Sequence, residues 1–240
     1  MEPKPNDWPS ILSLGKINKI AVGADSHVSH IVNPKKDIDV VVKEYDRIEF
    51  NSIDPKYAEE VLKQYYADTQ KVKEMIEKNP NPLNQKIVIA NENFSLDYRI
   101  VPQGSLLLER TKIVDVGDEN YANIKRRQRK IKMSLGQKFF KGLDLQSLIE
   151  NGNIREKRRA IDTQQIFLDN PKICIKLQKM VNMIFHYFSK KLNVYLAFDP
   201  VNVKPFLDKE GGKITVIITD LASNLKSYYE SSPKFKKSEK

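Results

Sequence analysis

Apolar and polar positions alternate through the first 45 residues. Ile17-Asn18-Lys19-Ile20-Ala21-Val22 alternates and runs into Gly23, which predicts a strand ending in a turn. Val28 to Val32 is a second short apolar run, closed by Asn33-Pro34-Lys35-Lys36. Asp37-Ile38-Asp39-Val40-Val41-Val42-Lys43-Glu44-Tyr45 gives the strongest strand signal, because β-branched side chains sit well on a pleated surface. Three strands joined by short turns make an antiparallel meander. The period then changes. Ala58, Leu62, Tyr65, Thr69, Val72 and Ile76 recur at spacings of 4, 3, 4, 3 and 4, which is one buried face of a helix. Asp54-Pro55 supplies an N-cap and a first-turn proline, and Asn79-Pro80-Asn81-Pro82 stops the helix, so it is expected over 54–78.

Lys86 to Ala90 and Phe94 to Val101 then predict a hairpin around Asn91-Glu92-Asn93, ended by Pro102-Gln103-Gly104. This hairpin is expected to complete the sheet begun by the first three strands, with the helix packed on it. Residues 105–170 read as mostly polar and helical. Residues 172–191 form an apolar helix with Ile173, Leu177, Met180, Val181, Ile184, Phe185 and Phe188 on its buried side. After Val194-Tyr195-Leu196-Ala197-Phe198 comes the turn Asp199-Pro200-Val201-Asn202. Two strands follow, Val203 to Leu207 and Lys213 to Thr219, and then Asp220-Leu221-Ala222. The Lys/Ser-rich tail 231–240 is expected to be disordered.

Composition narrows the class. The 240 residues suffice for one large domain or two small lobes, and 40% apolar content suffices for a core. No run approaches the roughly 18 apolar residues of a membrane helix. The first residues show no apolar signal segment. Cys174 is the only cysteine, which excludes an internal disulfide framework and a cysteine-based zinc site and suits a reducing compartment. A soluble, cytoplasmic protein without a membrane partner is expected. The net charge of +10 fits a polyanion such as nucleic acid or a phosphate-rich ligand, and it fits a lysine-rich solvated surface equally well.

The order of these elements carries the chemical reading. Gly23-Ala24-Asp25-Ser26-His27-Val28 follows the first strand as a single-glycine version of a phosphate loop. Val41-Val42-Lys43 puts a lysine on a strand 20 residues after Gly23. A long helix comes next, with Glu59 and Glu60 as candidates to orient that lysine. Much later, Pro200-Val201-Asn202 follows a buried helix, and Asp220-Leu221-Ala222 follows an apolar strand. This ordered pattern, from 17 to 225, resembles the protein-kinase family in a divergent, short form. The resemblance implies an α+β fold with a five-stranded antiparallel N-lobe and one long helix over 1–104. A reduced helical C-lobe over 105–230 and the basic tail 231–240 would follow. It implies binding of ATP with Mg²⁺, with Gly23, Lys43, Glu60 and Asn202 around the nucleotide and Asp220 and Asn202 on the metal. The protein would be a phosphotransferase or a pseudokinase. Two departures matter. Five residues before Asn202, where the family has its catalytic aspartate, stands Ala197, and Asp199 is the nearest carboxylate. The chain also runs only 20 residues beyond Asp220, so the helical half that binds a peptide substrate is expected to be missing.

A second resemblance is weaker. Val22-Gly23-Ala24, twelve residues, then Asp37-Ile38-Asp39-Val40 is similar to the glycine turn and alternating carboxylates of polymerase-beta-type nucleotidyltransferases. Asp37 and Asp39 would share one side of a strand and hold two metal ions, with Asp97 as a third carboxylate. The basic stretch 124–132 (Ile-Lys-Arg-Arg-Gln-Arg-Lys-Ile-Lys) would then meet RNA or DNA. Without interleaved aromatics, that stretch is also readable as a solvated helix face. A scaffold that binds nucleic acid without catalysis is the third alternative. His27 and His30 fall in a turn-rich segment and read as surface residues. His186 and Cys174 read as packed residues of an apolar helix.

Overall fold

The computed structural model describes residues 16–22, 26–36, 38–45, 53, 55–101, 107–110, 114–115, 127–128, 131–138, 141–150, 162–222 and 225–235. In chain order its strands and helices are β1 (Lys16–Val22), β2 (Ser26–Asn33), β3 (Ile38–Tyr45), α1 (Pro55–Lys78), β4 (Lys86–Ile89), β5 (Glu92–Ile100), β6 (Leu107–Arg110), β7 (Val114–Asp115), β8 (Arg127–Gln128), β9 (Ile131–Lys138), α2 (Leu145–Ile149), α3 (Gln165–Asp169), α4 (Pro171–Leu192), β10 (Val203–Asp208), β11 (Lys213–Ile218) and α5 (Leu225–Ser231). The protein is of the α+β class. It divides into one unit of Met1–Tyr66, Pro102–Phe139 and Asn224–Tyr229, and a second of Ala67–Val101, Phe140–Ser223 and Glu230–Lys240. Among the described residues, no helix is long and apolar enough to cross a membrane.

In the first unit, β1, β2 and β3 form the expected antiparallel meander, with His30 opposite Val41 across β2 and β3. The meander continues through β9 and β6, giving the order β1-β2-β3-β9-β6. Two expectations about this sheet fail. The β4–β5 hairpin does not complete it, and the region 105–170 contributes strands to it rather than helix alone. Ile131-Lys132-Met133-Ser134-Leu135-Gly136 alternates at every second position, a strand period that the dense positive charge around it obscured. Within 124–132, Arg127–Gln128 and Ile131–Lys132 are strand, and 124–126 and 129–130 lie outside the described residues. Val61, Leu62 and Tyr65 of α1 are buried, and Tyr65 meets Tyr228 of α5 edge-on at 5.3 Å between ring centroids.

In the second unit, β4 and β5 join the last hairpin in a mixed sheet of order β10-β11-β5-β4. The pairing of β11 with β5 is parallel, and the other two pairings are antiparallel. The composition of β11 explains why it lies inside. Ile214, Val216, Ile217 and Ile218 are all buried, so the strand needs a neighbour on each edge as well as cover. Edge strand β10 tolerates Pro205, which has no N–H to give a ladder, and the Pro205 carbonyl accepts from Gln164 Nε2 at 3.0 Å. The β4–β5 turn is two residues long. Ala90 and Asn91 have φ of 51° and 68°, the mirror-image turn that matches strand twist.

Both predicted helices form within a residue or two of their expected bounds. Leu62, Tyr65, Thr69, Val72 and Ile76 of α1 are buried, as their spacing required. In α4 the buried side is Ile173, Cys174, Leu177, Val181, Ile184, Phe185 and Phe188. Asn193 ends α4 in the left-handed conformation at φ 51°, and Val194 N donates back to Ser189 O at 3.1 Å. His186 corrects its expectation. It is exposed, because its turn of 100° beyond Phe185 carries it off the buried stripe. Met180 is half-buried rather than part of that stripe. The tail expectation also changes. Ser231 ends α5, Ser232 and Phe235 are buried, and residues 236–240 lie outside the described residues.

Candidate functional site at the end of the last hairpin

The register of β10 and β11 places this site. Val203 pairs with Ile218 and Asp208 with Lys213, so Asn202 meets Thr219 one step beyond the ladder. The Asn202 carbonyl accepts from Thr219 N at 2.9 Å and from Thr219 Oγ1 at 3.2 Å. Ala197 N donates to Leu221 O at 3.0 Å. These bonds hold the segment 197–202 alongside 219–221.

Local sequence builds the turn itself. Pro200 opens a one-turn 3-10 helix, where its missing N–H costs nothing. Asp199 caps that turn, its Oδ1 accepting from Val201 N at 3.1 Å, and Asn202 N donates to Asp199 O at 3.0 Å. On the facing segment, Asp220 Oδ1 accepts from Leu221 N at 2.9 Å. The loop is tied to α4 by Leu196 N, which donates to Ser189 Oγ at 3.2 Å, and by Phe198, whose ring lies edge-on to Phe185 at 5.7 Å. Asp199, Asn202 and Asp220 therefore occupy adjoining turns at one end of one hairpin. All three are half-exposed. The Asn202 side-chain amide makes no hydrogen bond to a described residue, and one Asp199 oxygen remains beyond the capping bond.

This donor set fits a hard divalent cation bound together with phosphates. The Asp220 carboxylate and the Asn202 amide would supply oxygen only, which suits Mg²⁺, an ion that keeps most of its shell for water and ligand phosphates. Among the described residues no three His, Cys, Asp or Glu side chains group closely enough to hold a metal by themselves. A metal here would need its ligand's oxygens to complete the shell.

The other sequence-predicted residues fall as follows. Lys43 lies on β3, opposite Val28 and Leu135, in the first unit, whereas Asn202 and Asp220 belong to the second. Gly23 lies outside the described residues. Glu60 is exposed on α1. Of the carboxylates in the nucleotidyltransferase pattern, Asp37 lies outside the described residues and Asp39 is on β3 opposite Val32. Asp97 is on the other sheet, opposite Thr215, with Oδ2 4.0 Å from Lys213 Nζ. Lys213 Nζ is also 3.9 Å from Asp208 Oδ2, so Asp97 belongs to an ion-pair group around the β10–β11 turn. His27 and His30 stand on β2, not in a turn. Cys174 is fully buried, its Sγ 3.4 Å from Phe167 O, and burial pushes the thiol up to about 11.

Sequence reasoning missed Thr219 and Leu221, whose backbone and hydroxyl contacts bring the two segments together. It also missed Gln164. That side chain is fully buried, donates to Leu143 O at 2.8 Å and accepts from Leu143 N at 2.8 Å, and so ties the loop before α2 to β10. A glutamine between polar neighbours carries no signal of this kind. The chain matches no protein-family model, and no curated protein matches its sequence.

Proposed function

We propose that the end of the β10–β11 hairpin binds a nucleoside triphosphate, ATP in the first instance, as its Mg²⁺ complex. In this reading the protein is kinase-like, either a divergent phosphotransferase or a pseudokinase. One observation carries the reading. Thr219 donates its backbone N–H and its hydroxyl to the Asn202 carbonyl, which brings Asn202 beside the residue that precedes Asp220, and the kinase resemblance asks for Asn202 and Asp220 as its two metal-holding residues.

When bound, Mg²⁺ would offset charge on the phosphate oxygens. Asp220 and Asn202 supply oxygen atoms to hold it. Asp199 has a double duty. Its Oδ1 is committed to Val201 N, so it shapes the turn before it can accept a proton. Ala197 offers no side-chain acceptor and uses its N–H on Leu221. Turnover is therefore expected to be slow or absent, with binding retained.

Calorimetry of the full chain with ATP, with and without Mg²⁺, tests this. Wild type should bind in a Mg²⁺-dependent way. Asp220→Ala should abolish that dependence, and Asn202→Ala should weaken binding. Asp199→Asn should alter turnover more than affinity. No heat of binding at millimolar nucleotide would end the reading.

A further inference from the structure

Helix α4 carries five lysines and a histidine and no acidic residue: Pro-Lys-Ile-Cys-Ile-Lys-Leu-Gln-Lys-Met-Val-Asn-Met-Ile-Phe-His-Tyr-Phe-Ser-Lys-Lys-Leu. At 3.6 residues per turn, Lys172, Lys176, Lys179, Met183, His186 and Lys190 fall within about 40° of one line along the helix. That line is opposite the buried stripe, and all of these residues except the methionine can carry positive charge. Each is exposed. No carboxylate among the described residues pairs with Lys172, Lys176, Lys179 or Lys190. The row extends about 27 Å at 1.5 Å per residue.

A solvated lysine face accounts for the charge alone. It does not account for the apolar groups in the same face. Met183 is 55% exposed and Ile175 44% exposed, beside the lysines. A shallow, open hollow of about 300 Å³ lies next to them, lined by Ile175, Gln178, Lys179, Asn182 and Phe198. Its lining offers one aromatic ring, one aliphatic side chain, two primary amides and one ammonium group. The ring is held in place by its edge-on contact with Phe185 at 5.7 Å. The two amides lie one turn apart on the helix, and each offers both a donor and an acceptor.

We propose that this face of α4 binds single-stranded nucleic acid, with the backbone along the lysine row and one unpaired base seated in the hollow against Phe198. The lysines meet phosphates and release counterions. Phe198 gives the base a π-face to stack on, and Gln178 and Asn182 meet its polar edge. A duplex is a poorer fit, because a stacked and paired base has no edge or face to place in the hollow. The surface adjoins the hairpin end through Phe198, but nothing in it requires a nucleotide to bind there.

The test is fluorescence anisotropy of the full chain with a labelled 12-nucleotide DNA strand, from about 50 to 200 mM salt. Three competitors are added in turn: an abasic strand of equal length, a duplex and heparin. Wild type should bind the intact strand with an affinity that falls steeply with salt. Replacing Lys172, Lys176 and Lys179 together by Ala should reduce affinity more than tenfold at 50 mM and lower the magnitude of the salt slope by about 2, from roughly 0.7 per phosphate contact. Phe198→Leu keeps apolar volume against Phe185 and should lose about tenfold on the intact strand, with the slope unchanged. It should leave the abasic strand unaffected. Circular dichroism checks that each variant is folded, and Lys179→Arg should bind as wild type. Equal affinity for intact and abasic strands would overturn the seated base. Unchanged binding by the triple-lysine variant would overturn the surface, as would equal competition by heparin.

Discussion

Gln164 is the most consequential single side chain outside the apolar core of the second unit. It is fully buried and makes three hydrogen bonds, two to Leu143 and one to the Pro205 carbonyl. Replacing it by Leu keeps an apolar body of similar length and removes all three partners at once. A buried backbone group left without a partner costs about 1–3 kcal/mol. Three such groups, less the gain from burying an apolar side chain, give a net loss of about 3–5 kcal/mol. That is a large fraction of the roughly 5–15 kcal/mol available to an ordinary domain. The neighbouring Gly142 supplies an internal check. It has φ of 105°, and a Cβ there would lie 2.6 Å from Gln164 Oε1. Gly142→Ala should therefore destabilise twice, by backbone strain of about 1–3 kcal/mol and by displacing an amide that its own hydrogen bonds hold fast. In Gln164→Ala the displaced atom is gone, so the double variant should lose less than the two single losses summed. Urea titrations of the five proteins by far-ultraviolet circular dichroism measure all of this. A loss below about 1 kcal/mol in Gln164→Leu, or strict additivity in the cycle, would refute the reasoning.

The remaining predictions concern other parts of the molecule. Burial raises the Cys174 thiol from its ordinary value of 9.0 to about 11, so its contribution is fully present below pH 9 and is lost as pH rises toward 11. The stability advantage of wild type over Cys174→Ala should shrink across that window by up to about 2 kcal/mol, and a constant difference in urea midpoints would contradict it. Ala90 takes a φ of 51° in the β4–β5 turn, a conformation that disfavours a Cβ, so Ala90→Gly should stabilise by up to about 1 kcal/mol in the same titration. Asp39→Asn and Asp97→Asn should leave Mg²⁺–ATP affinity within about twofold of wild type, a difference of under roughly 0.5 kcal/mol. Loss of binding in either would favour the alternating-carboxylate alternative.

What was legible in the sequence was whatever repeats with a period. The helices over 55–78 and 171–192 followed from apolar spacing, proline starts and asparagine stops. The strands of the last hairpin followed from alternation around a glycine turn, and with them came the adjacency of Asn202 and Asp220. Sheet membership was not legible. Nothing in Phe94 to Ile100 says whether its open edge will accept β3 or β11. The strand Ile131–Lys138 was hidden because six charged residues within 124–132 outweighed a clear two-residue alternation. The cationic face of α4 was visible as composition but not as a surface. Its meaning depends on Phe198, which reaches the helix only through the loop that precedes the hairpin.

A Mg²⁺–nucleotide complex at the hairpin end would be located most directly by a paramagnetic probe. Mn²⁺ replaces Mg²⁺ in the ATP complex and broadens the amide signals of nearby residues in a nitrogen–proton correlation spectrum of the full chain. The account predicts that Asn202, Thr219, Asp220 and Leu221 broaden first, that removing ATP weakens the effect, and that Asp220→Ala abolishes it. Broadening centred on β3 or on the Asp97–Lys213 group, with the hairpin end untouched, would contradict it.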